Sequence, residues 1–243
     1  MKIALIGYGK MGRAIEEIAL KAGHSIVCKI SNPDFLASEL TNADIAIEFT
    51  RPEAATSNIL KCFDANIPVV VGTTGWYNDF NKVSEILKEK NQALFYATNF
   101  SLGVNIFFEL NKTLAQLMNP HVMYEPSLLE AHHLQKKDAP SGTAITLAED
   151  LLAHLDRKKE WVNREMNENK SDNPLALDLV SIREGEIPGT HTITYCSEID
   201  EIVITHQAFN RMGFASGAVK AAEWMKAKKG IYSMADMLGY RHK

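Results

Sequence analysis

The chain has 243 residues, 46% hydrophobic and 23% charged, which is enough for one large domain or two modest ones with buried cores. Its net charge of -4 gives no general electrostatic reason to expect nucleic acid or an anionic membrane as a partner. The 3 cysteines lack CxxC spacing and are expected to be buried, reduced thiols. The first apolar run is too short for a signal peptide or a membrane span, so a cytoplasmic protein is expected.

Up to about residue 100, short apolar runs alternate with segments of helical spacing. The runs cover residues 2–7, 25–30, 43–49, 67–72 and 93–98. The intervening segments place apolar residues at i, i+3 and i+4, as in a helix with one buried stripe. Strands that are apolar nearly throughout and separated by helices predict a parallel sheet covered on both faces. The expected fold here is a Rossmann-like, doubly wound α/β domain.

After Ser101 the pattern changes to that of an α+β domain. Residues 103–118 predict a long helix, and residues 122–132 predict a strand. A second helix is expected over Thr143 to Leu155, with Ser141 or Thr143 as its N-cap.

Further along, residues 157–175 are charged and Asn-rich, which indicates a mostly exposed loop. Three strand-like runs follow at 177–184, 190–197 and 201–208, joined by short turns. Consecutive strands without long helices between them predict a mixed or antiparallel sheet. The remaining segment is expected to be helical.

A glycine motif of the GxGxxG type lies between the first predicted strand and the first predicted helix. Gly7 permits a tight turn, Gly9 lets a pyrophosphate approach the backbone, and Gly12 allows close helix packing. The N–H groups at the start of the helix would face the phosphates. The spacing therefore predicts a dinucleotide site, against the alternative of an unoccupied glycine turn.

The end of the second predicted strand lacks the acidic residue that often binds the ribose hydroxyls. The sequence there is "CKISN", in which Ser31 and Asn32 could bond a hydroxyl or a phosphate. Lys29 would favour a phosphate if it faced the site. The missing carboxylate weakens the case for strict NAD preference and leaves NADP open or favoured.

Two loops fall at the carboxyl ends of predicted strands, where ligands of parallel sheets bind. They are "GTTG", Gly72 to Gly75, and "ATNFS", Ala97 to Ser101. Either one alone could be a plain turn, but both together indicate contacts to nicotinamide and ribose.

The segment "EAHHLQKKDAPSGTA" concentrates groups that handle protons and anions. His132 and His133 are adjacent, and a turn or helical start would bring Lys136 to His132. Gly142 and Thr143 open a helix whose N–H groups would form a small anion cradle. The combination predicts a pocket for an acidic small molecule. The alternatives are a solvated loop and a plain helix cap; no third ligand at suitable spacing is evident for a metal site.

This segment resembles the signature of the 4-hydroxy-tetrahydrodipicolinate reductase (dihydrodipicolinate reductase) family of bacterial lysine biosynthesis. The resemblance extends through "GYGKMG", "EFTRPEA", "VVVGTTG", "ATNFSLGVN", "IREGEIPGTHT" and "FASGAVKAA". It implies a dinucleotide-binding domain, 1–100 plus 213–243, and a substrate-binding and oligomerisation domain, 101–212. It also implies NADPH or NADH as cofactor and a homotetramer.

The resemblance assigns roles position by position. His132 matches the family's proton donor/acceptor, and Lys136 its second proton donor. The positions that match substrate carboxylate contacts are His133, Ser141, Gly142 and Thr143. The positions that match cofactor contacts are Gly7, Tyr8, Gly9, Lys10, Met11, Gly12, Ser31, Gly72, Thr73, Thr74, Ala97, Thr98, Asn99 and Phe100, although Ser31 stands where many members have an acid.

The implied reaction is hydride transfer from NADH or NADPH to C4 of a cyclic conjugated imine with two carboxylates, followed by protonation of the neighbouring carbon. The alternatives are another two-domain amino-acid dehydrogenase and a protein that senses NAD(P) without turnover. Arg183 is expected either at the rim of the active site or in a structural salt bridge.

Overall fold

The structure is a computed structural model that describes residues 1–166, 168, 171–210 and 212–240. The chain separates into two units, Met1–Leu102 with Met212–Lys243, and Gly103–Arg211. Strands and helices are numbered in chain order along the whole molecule, and each unit is described by itself.

The first unit is built on a parallel six-stranded sheet. Its strands are β1 Lys2–Ile6, β2 Ser25–Ile30, β3 Ile45–Glu48, β4 Val69–Val71, β5 Ala93–Tyr96 and β11 Gly230–Tyr232. Their order across the sheet is β11-β5-β4-β3-β1-β2. The helices are α1 Lys10–Lys21, α2 Pro52–Asp64, α3 Phe80–Glu89, α6 Met212–Trp224 and α7 Met234–Leu238. The Rossmann-like fold predicted from the alternating pattern is confirmed.

Both faces of this sheet are buried, which explains why its strands are apolar nearly throughout. On one face Leu5 and Phe95 pack among residues of α1 and α6. On the other face Ile6 and Val71 pack among residues of α2 and α3. Gly217 of α6 lets that helix approach closely, since an added Cβ would lie 1.7 Å from the Phe100 carbonyl oxygen.

Strand β11 was not anticipated, because the sequence after α6 was expected to be helical. It pairs in parallel with β5, with Ile231 opposite Leu94. Three residues are too few to show a strand periodicity in sequence. The segment is a strand because the exposed edge of β5 supplies its hydrogen-bond partners.

The second unit combines two long helices with a five-stranded sheet. Its elements are α4 Leu102–Met118, β6 Glu125–His132, α5 Gly142–His154, β7 Glu160–Arg164, β8 Ala176–Arg183, β9 Gly189–Cys196 and β10 Glu201–Ala208. The sheet order is β10-β9-β6-β8-β7, with β6, β7 and β8 parallel and β9 antiparallel to both of its neighbours. The predicted mixed sheet is confirmed.

Strand β7 corrects the expectation of a loop over residues 157–175. It pairs in parallel with β8 at the edge of the sheet, and none of its residues is fully buried. An edge strand with the sequence "EWVNR" has no apolar run to reveal it. Residues 167, 169 and 170 of the same stretch lie outside the described residues.

The two faces of the second sheet differ in burial. Leu128, Leu179 and Ile193 lie in the core with residues of α4 and α5. Leu129 and Val180, which point the opposite way, remain partly exposed. Within the described part of the chain, no helix has the length and apolar character needed to cross a membrane.

Candidate active site

Two of the three glycines of the loop between β1 and α1 could not be replaced without displacing the backbone. Gly7 has a φ of +97°, and a Cβ added to it would lie 2.0 Å from the Phe49 carbonyl oxygen. A Cβ added to Gly12 would lie 2.2 Å from the Gly7 carbonyl oxygen. Gly9 differs, because no protein atom lies within 4 Å of its added Cβ. The backbone at Gly9 is thus open to a phosphate, beside the first N–H groups of α1.

A cavity of about 370 Å³ brings together two of the predicted cofactor segments. Gly9, Lys10 and Met11 line it together with Gly72 to Thr74. The turn after β3 completes the lining, and there the Thr50 N–H donates to Thr73 Oγ1 at 2.7 Å. The glycine motif and the "GTTG" loop therefore share one groove at the carboxyl edge of the sheet, where dinucleotides bind in this type of fold.

Glu48, at the end of β3, is a buried carboxylate that the sequence reasoning missed as a site residue. It accepts hydrogen bonds from the Thr50 hydroxyl and from Asn58 Nδ2, the latter at 3.2 Å. Burial raises the pKa of Glu48, although the hydrogen bonds from Thr50, Thr73 and Asn58 oppose the rise. Its carboxylate therefore connects the turn after β3 to α2 and to Thr73 of the "GTTG" loop. The signal was available in the motif "EFTRPEA", where an acidic residue ends an apolar strand.

At the end of β2, Ser31 and Asn32 line a smaller cavity of about 70 Å³ that also contains Gly7 and Arg51. Lys29 is occupied elsewhere, since its Nζ lies 2.5 Å from Glu16 and 3.3 Å from the hydroxyl of Tyr8.

Tyr8 is held by the same group of charges. The ring lies under Lys29 Nζ at 4.9 Å and under the Arg13 guanidinium at 5.4 Å. Its hydroxyl donates to Glu16.

The segment Ala97 to Phe100 follows β5 and lines neither of these cavities. Ala97, Asn99 and Phe100 are buried, whereas Thr98 is exposed. The ring of Phe100 packs against Phe49 with centroids 5.7 Å apart. These side chains fix the path of the loop.

In the second unit, sheet register assembles a cluster of charged side chains. Glu130 lies opposite His191 on β9, and His132 lies opposite Arg183 on β8. Residues two apart in a strand point to the same face, so Glu130 and His132 project together. That face also packs against α5.

The Glu130 carboxylate, which is fully buried, connects the members of this cluster. Its Oε1 accepts from Arg183 Nη2 at 2.8 Å and from the Ser141 N–H at 3.0 Å. Its Oε2 lies 3.3 Å from His132 Nε2 and 3.8 Å from His191 Nε2, which are ion-pair distances without hydrogen-bond alignment. The Glu130 carboxylate thus connects strands β8 and β9 with the start of helix α5.

The surroundings of Glu130 and His191 determine which members of the cluster are charged near pH 7. Burial alone would raise the pKa of Glu130, but His132, Ser141 and Arg183 outweigh it and hold that pKa far below its usual range. Burial, and after it the neighbouring His132, lower the pKa of His191 to about 4. Near pH 7 the cluster therefore contains an ionised Glu130, a cationic Arg183 and a neutral His191.

The N-terminus of α5 faces this cluster. Ser141 is the N-cap: its Oγ accepts from the Ala144 N–H at 3.2 Å and lies 3.2 Å from His191 Nε2. A Cβ added to Gly142 would meet no atom within 4 Å, so the first turn is open there. An open helix N-terminus favours an anionic group such as a carboxylate.

Lys136 is placed differently from the expectation. Residues 133–136 form a turn, which is one of the two forms expected, and the Lys136 N–H donates to the His133 carbonyl oxygen at 3.1 Å. Lys136 Nζ pairs with Asp138 at 2.7 Å rather than with His132. It remains in electrostatic range of the cluster, because its charge contributes to the lowered pKa of His191. The His133 N–H donates to the Ile187 carbonyl oxygen at 2.8 Å.

Glu130 and His191 were not predicted as site residues, and Arg183 was expected either at the rim of the site or in a salt bridge. The structure shows Arg183 in a salt bridge with Glu130. Glu130, His132 and His191 offer ligand atoms within 4.8 Å of one another, a spacing that would also suit a metal ion. Arg183 already neutralises this carboxylate at 2.8 Å, which disfavours a metal ion as a further cation in the group.

The first unit has a parallel sheet with an open glycine loop, and the second has a mixed sheet with a buried cluster of histidines and charged groups. These features define a nucleotide-dependent oxidoreductase of the Rossmann class. Comparison with known proteins narrows this class. Residues 1–100 match the family model "Dihydrodipicolinate reductase, N-terminus", and residues 103–238 match "Dihydrodipicolinate reductase, C-terminus". The chain belongs to the dihydrodipicolinate reductase family, whose enzymes use NADH or NADPH.

Individual relatives agree with this membership. The chain is 50% identical to the 4-hydroxy-tetrahydrodipicolinate reductase of Christiangramia forsetii over 98% of both chains. It is 33% identical to the enzyme of that name from Neisseria meningitidis serogroup B, over 100% of this chain and 99% of the relative. Dipicolinate-bound dihydrodipicolinate reductase from Paenisporosarcina sp. TG-14 has the same fold, with a TM-score of 0.75 at 20% identity, over 98% and 99% of the two chains.

Proposed function

We propose that this chain reduces 4-hydroxy-tetrahydrodipicolinate to tetrahydrodipicolinate with NADH or NADPH, in lysine biosynthesis. Residues 1–100 and 213–243 form the dinucleotide-binding domain, and residues 101–212 form the domain for the cyclic dicarboxylate. The observation that carries the assignment of roles is the buried cluster around Glu130 beside the open N-terminus of α5.

The residues of the first unit fit a dinucleotide. Gly9 leaves the space that a pyrophosphate needs, and the first turn of α1 supplies N–H groups to it. The groove lined by Lys10, Thr73 and Thr74 extends from that loop and would hold the rest of the cofactor. The cofactor, when bound, supplies a hydride to C4 of the substrate ring. Ser31 stands at the position that contacts the adenosine ribose in folds of this type.

The residues of the second unit fit a dicarboxylate. The N–H groups of Gly142 and Thr143, with the hydroxyl of Ser141, would bind one substrate carboxylate. His133 and Lys136 would contact the substrate as well, and the charge of Lys136 would stabilise the electron-rich ring. Such groups lower the free energy of charge build-up in the transition state.

His132 is the proton donor in this proposal, and Lys136 assists it. His132 is 8% exposed, and an imidazole is a side chain that can serve as a general acid near neutral pH. The 4-hydroxyl of the substrate leaves as water, which gives the conjugated ring. Hydride from the cofactor then adds to C4, and the proton goes to the neighbouring ring carbon, which completes the reduction to tetrahydrodipicolinate.

A coupled assay tests the function. Dihydrodipicolinate is generated in situ, and oxidation of NADPH or NADH is followed by absorbance. We expect turnover that depends on the dicarboxylate. Binding of NADPH without its oxidation would contradict the proposal and indicate a nucleotide-sensing protein. Oxidation with another amino or keto acid alone would indicate a different dehydrogenase.

Variants test the residue roles. His132→Gln and Lys136→Ala should each reduce kcat by about 10² to 10⁴-fold, the usual contribution of such groups. NADPH affinity should stay within about twofold, because both residues belong to the other unit. Full activity of both variants would contradict the assignment.

We also propose that the protein is a homotetramer assembled through the partly exposed face of the second sheet. Leu129, Val180 and Thr192 lie next to one another on that face and form an apolar and hydroxyl-rich patch. Size-exclusion chromatography with light scattering gives the subunit number directly, and a monomer at micromolar concentration would contradict this.

The free cysteines agree with a site of action in the cytoplasm.

A further inference from the structure

Glu130 is the point at which the buried groups of the second sheet meet, yet nothing in the substrate assignment uses it. The carboxylate contacts Arg183, the backbone of Ser141 and the ring of His132. It has no exposed surface, so it is shielded from the substrate by its own partners. A buried carboxylate placed next to an acid–base residue commonly sets the charge and orientation of that residue.

The surroundings of His132 show what Glu130 does. Nδ1 of the ring lies 3.3 Å from the Pro188 carbonyl oxygen, and Nε2 lies 3.3 Å from Glu130 Oε2. Both oxygens are acceptors only. A neutral ring that donates from Nδ1 to Pro188 turns the lone pair of Nε2 towards the Glu130 carboxylate, whereas a protonated ring turns an N–H group towards it.

The charges on Arg183 and Glu130 also favour a protonated His132. Arg183 keeps Glu130 ionised, and the ionised carboxylate attracts a cation at His132. His191 does not compete for this role, since burial and the neighbouring His132 lower its pKa to about 4. The ionised carboxylate thus has two basic neighbours, and of these Arg183 stays protonated while the imidazole of His132 can release a proton.

We propose that Glu130 is a positioning residue that holds His132 in its protonated form and in the orientation from which it donates the proton. Glu130 does not touch the substrate. This inference rests on the proposed function only in taking His132 as the acid. A purely structural role for the Glu130–Arg183 pair would affect folding but not the pH at which activity is lost.

Several other charged groups face this part of the sheet and must be considered in any pH profile. They are Arg183 on β8, His191 on β9, His206 on β10, and Lys136 and Asp138 in the turn after β6. A substitution at Glu130 leaves these side chains in the protein but removes a charge that opposes the lowering of the pKa of His191. His191 therefore stays neutral at the pH of the alkaline limb in both the variant and the parent, so a difference in that limb reports on His132.

The central experiment is Glu130→Gln, which removes the charge and keeps the shape. We expect kcat to fall by about 10²-fold at pH 8. The alkaline limb of the profile of kcat/KM should move to lower pH by about 1 unit or more, because the ring loses the nearby opposite charge. KM for NADPH should change by less than about twofold. Superimposable pH limbs for the variant and the parent would overturn the proposal.

Glu125→Gln is the matched control. Glu125 lies on the same strand and is also ion-paired, to the buried Lys158, but it contacts no member of the cluster among the described residues. We expect Glu125→Gln to keep the parent pH profile even if it lowers stability. An equal shift in both variants would mean that general loss of negative charge is responsible, and would overturn the proposal.

A measurement without substrate separates this inference from the proposed function. The ring of His132 is titrated by NMR with ¹³C-labelled histidine, and its signal is assigned by its loss in His132→Gln. We expect the ring to lose its proton at lower pH in Glu130→Gln than in the parent. An unchanged titration would overturn the inference, whatever the coupled assay gives. Should Glu130→Gln not fold, Glu130→Asp replaces it, with a smaller shift in the same direction expected and an unchanged titration counting against the role.

Discussion

The imidazole of His132 lies directly on the backbone of Gly189, such that a Cβ added to Gly189 would be 2.8 Å from the ring carbon Cε1. Gly189 begins β9, and its neighbour Thr190 pairs with Ala131 of β6. The absence of a side chain at Gly189 is therefore what allows His132 to sit between that strand and Glu130.

Gly189→Ala should consequently displace His132. We expect kcat to fall by roughly 10 to 100-fold, because a shift of about 1 Å in a reacting group has effects of that size. NADPH affinity should be retained. Gly185→Asn is the control: Gly185 lies in the same loop with open space around it and a φ of +51°, which Asn tolerates. Equal activity of Gly189→Ala and the parent, measured in the coupled assay, would show that the ring position is not critical.

The glycine loop gives a second prediction, in which two neighbouring substitutions separate binding from folding. The methyl group added in Gly9→Ala meets no protein atom, so the stability of this variant should match that of the parent. Its affinity for NADPH should fall by about tenfold or more, because the methyl group blocks the phosphate. Gly12→Ala should lose both affinity and stability, because its methyl group lies 2.2 Å from the Gly7 carbonyl oxygen. Fluorescence titration with NADPH and thermal denaturation measure the two properties. Unchanged NADPH affinity in Gly9→Ala would contradict the placement of the pyrophosphate.

Cofactor preference gives a third prediction at Ser31. Ser31→Asp introduces the carboxylate that binds ribose hydroxyls and repels a 2′-phosphate. We expect the ratio of kcat/KM for NADH to that for NADPH to rise by about tenfold, which corresponds to about 1.4 kcal/mol. Ser31→Asn, which is uncharged, serves as the control and should change the ratio little. A ratio that does not respond to the charge would place the adenosine ribose elsewhere.

The fourth prediction concerns stability and pH at Asp150 of α5. Burial raises the pKa of this carboxyl to about 6, against the attraction of Lys112 at 4.0 Å. The folded state thus binds more protons here than the unfolded chain between about pH 4 and pH 6, so this group lowers stability as the pH rises through that window.

Asp150→Asn should therefore stabilise the protein by about 1 to 2 kcal/mol at pH 8 and by almost nothing at pH 4. Urea denaturation of the variant and the parent at pH 4, 6 and 8 measures the difference. A gain that is constant with pH would mean that titration of Asp150 is not its cause.

Local patterns were sufficient for much of the fold. The apolar runs that form β1 to β5 predicted a parallel sheet, because strands buried on both faces have apolar residues at nearly every position. Ser141 was recognised as one of two candidate caps, since a hydroxyl before an apolar helical repeat satisfies the first N–H groups. Short or edge strands escaped detection: β7 and β11 are made by hydrogen bonds to a neighbouring strand, which leave little trace in composition.

The sequence by itself determined which chemical groups are present and where a glycine loop separates the first strand from the first helix, since the glycine spacing and the histidine-rich segment are local properties. Only the tertiary structure decided that Glu130, His191 and Arg183 surround His132 and that Lys136 turns to Asp138. These residues are up to 61 positions apart, from Glu130 to His191, and meet through the register of β6 with β8 and β9. Register depends on backbone pairing and core packing over the whole sheet, so no short stretch of sequence contains it.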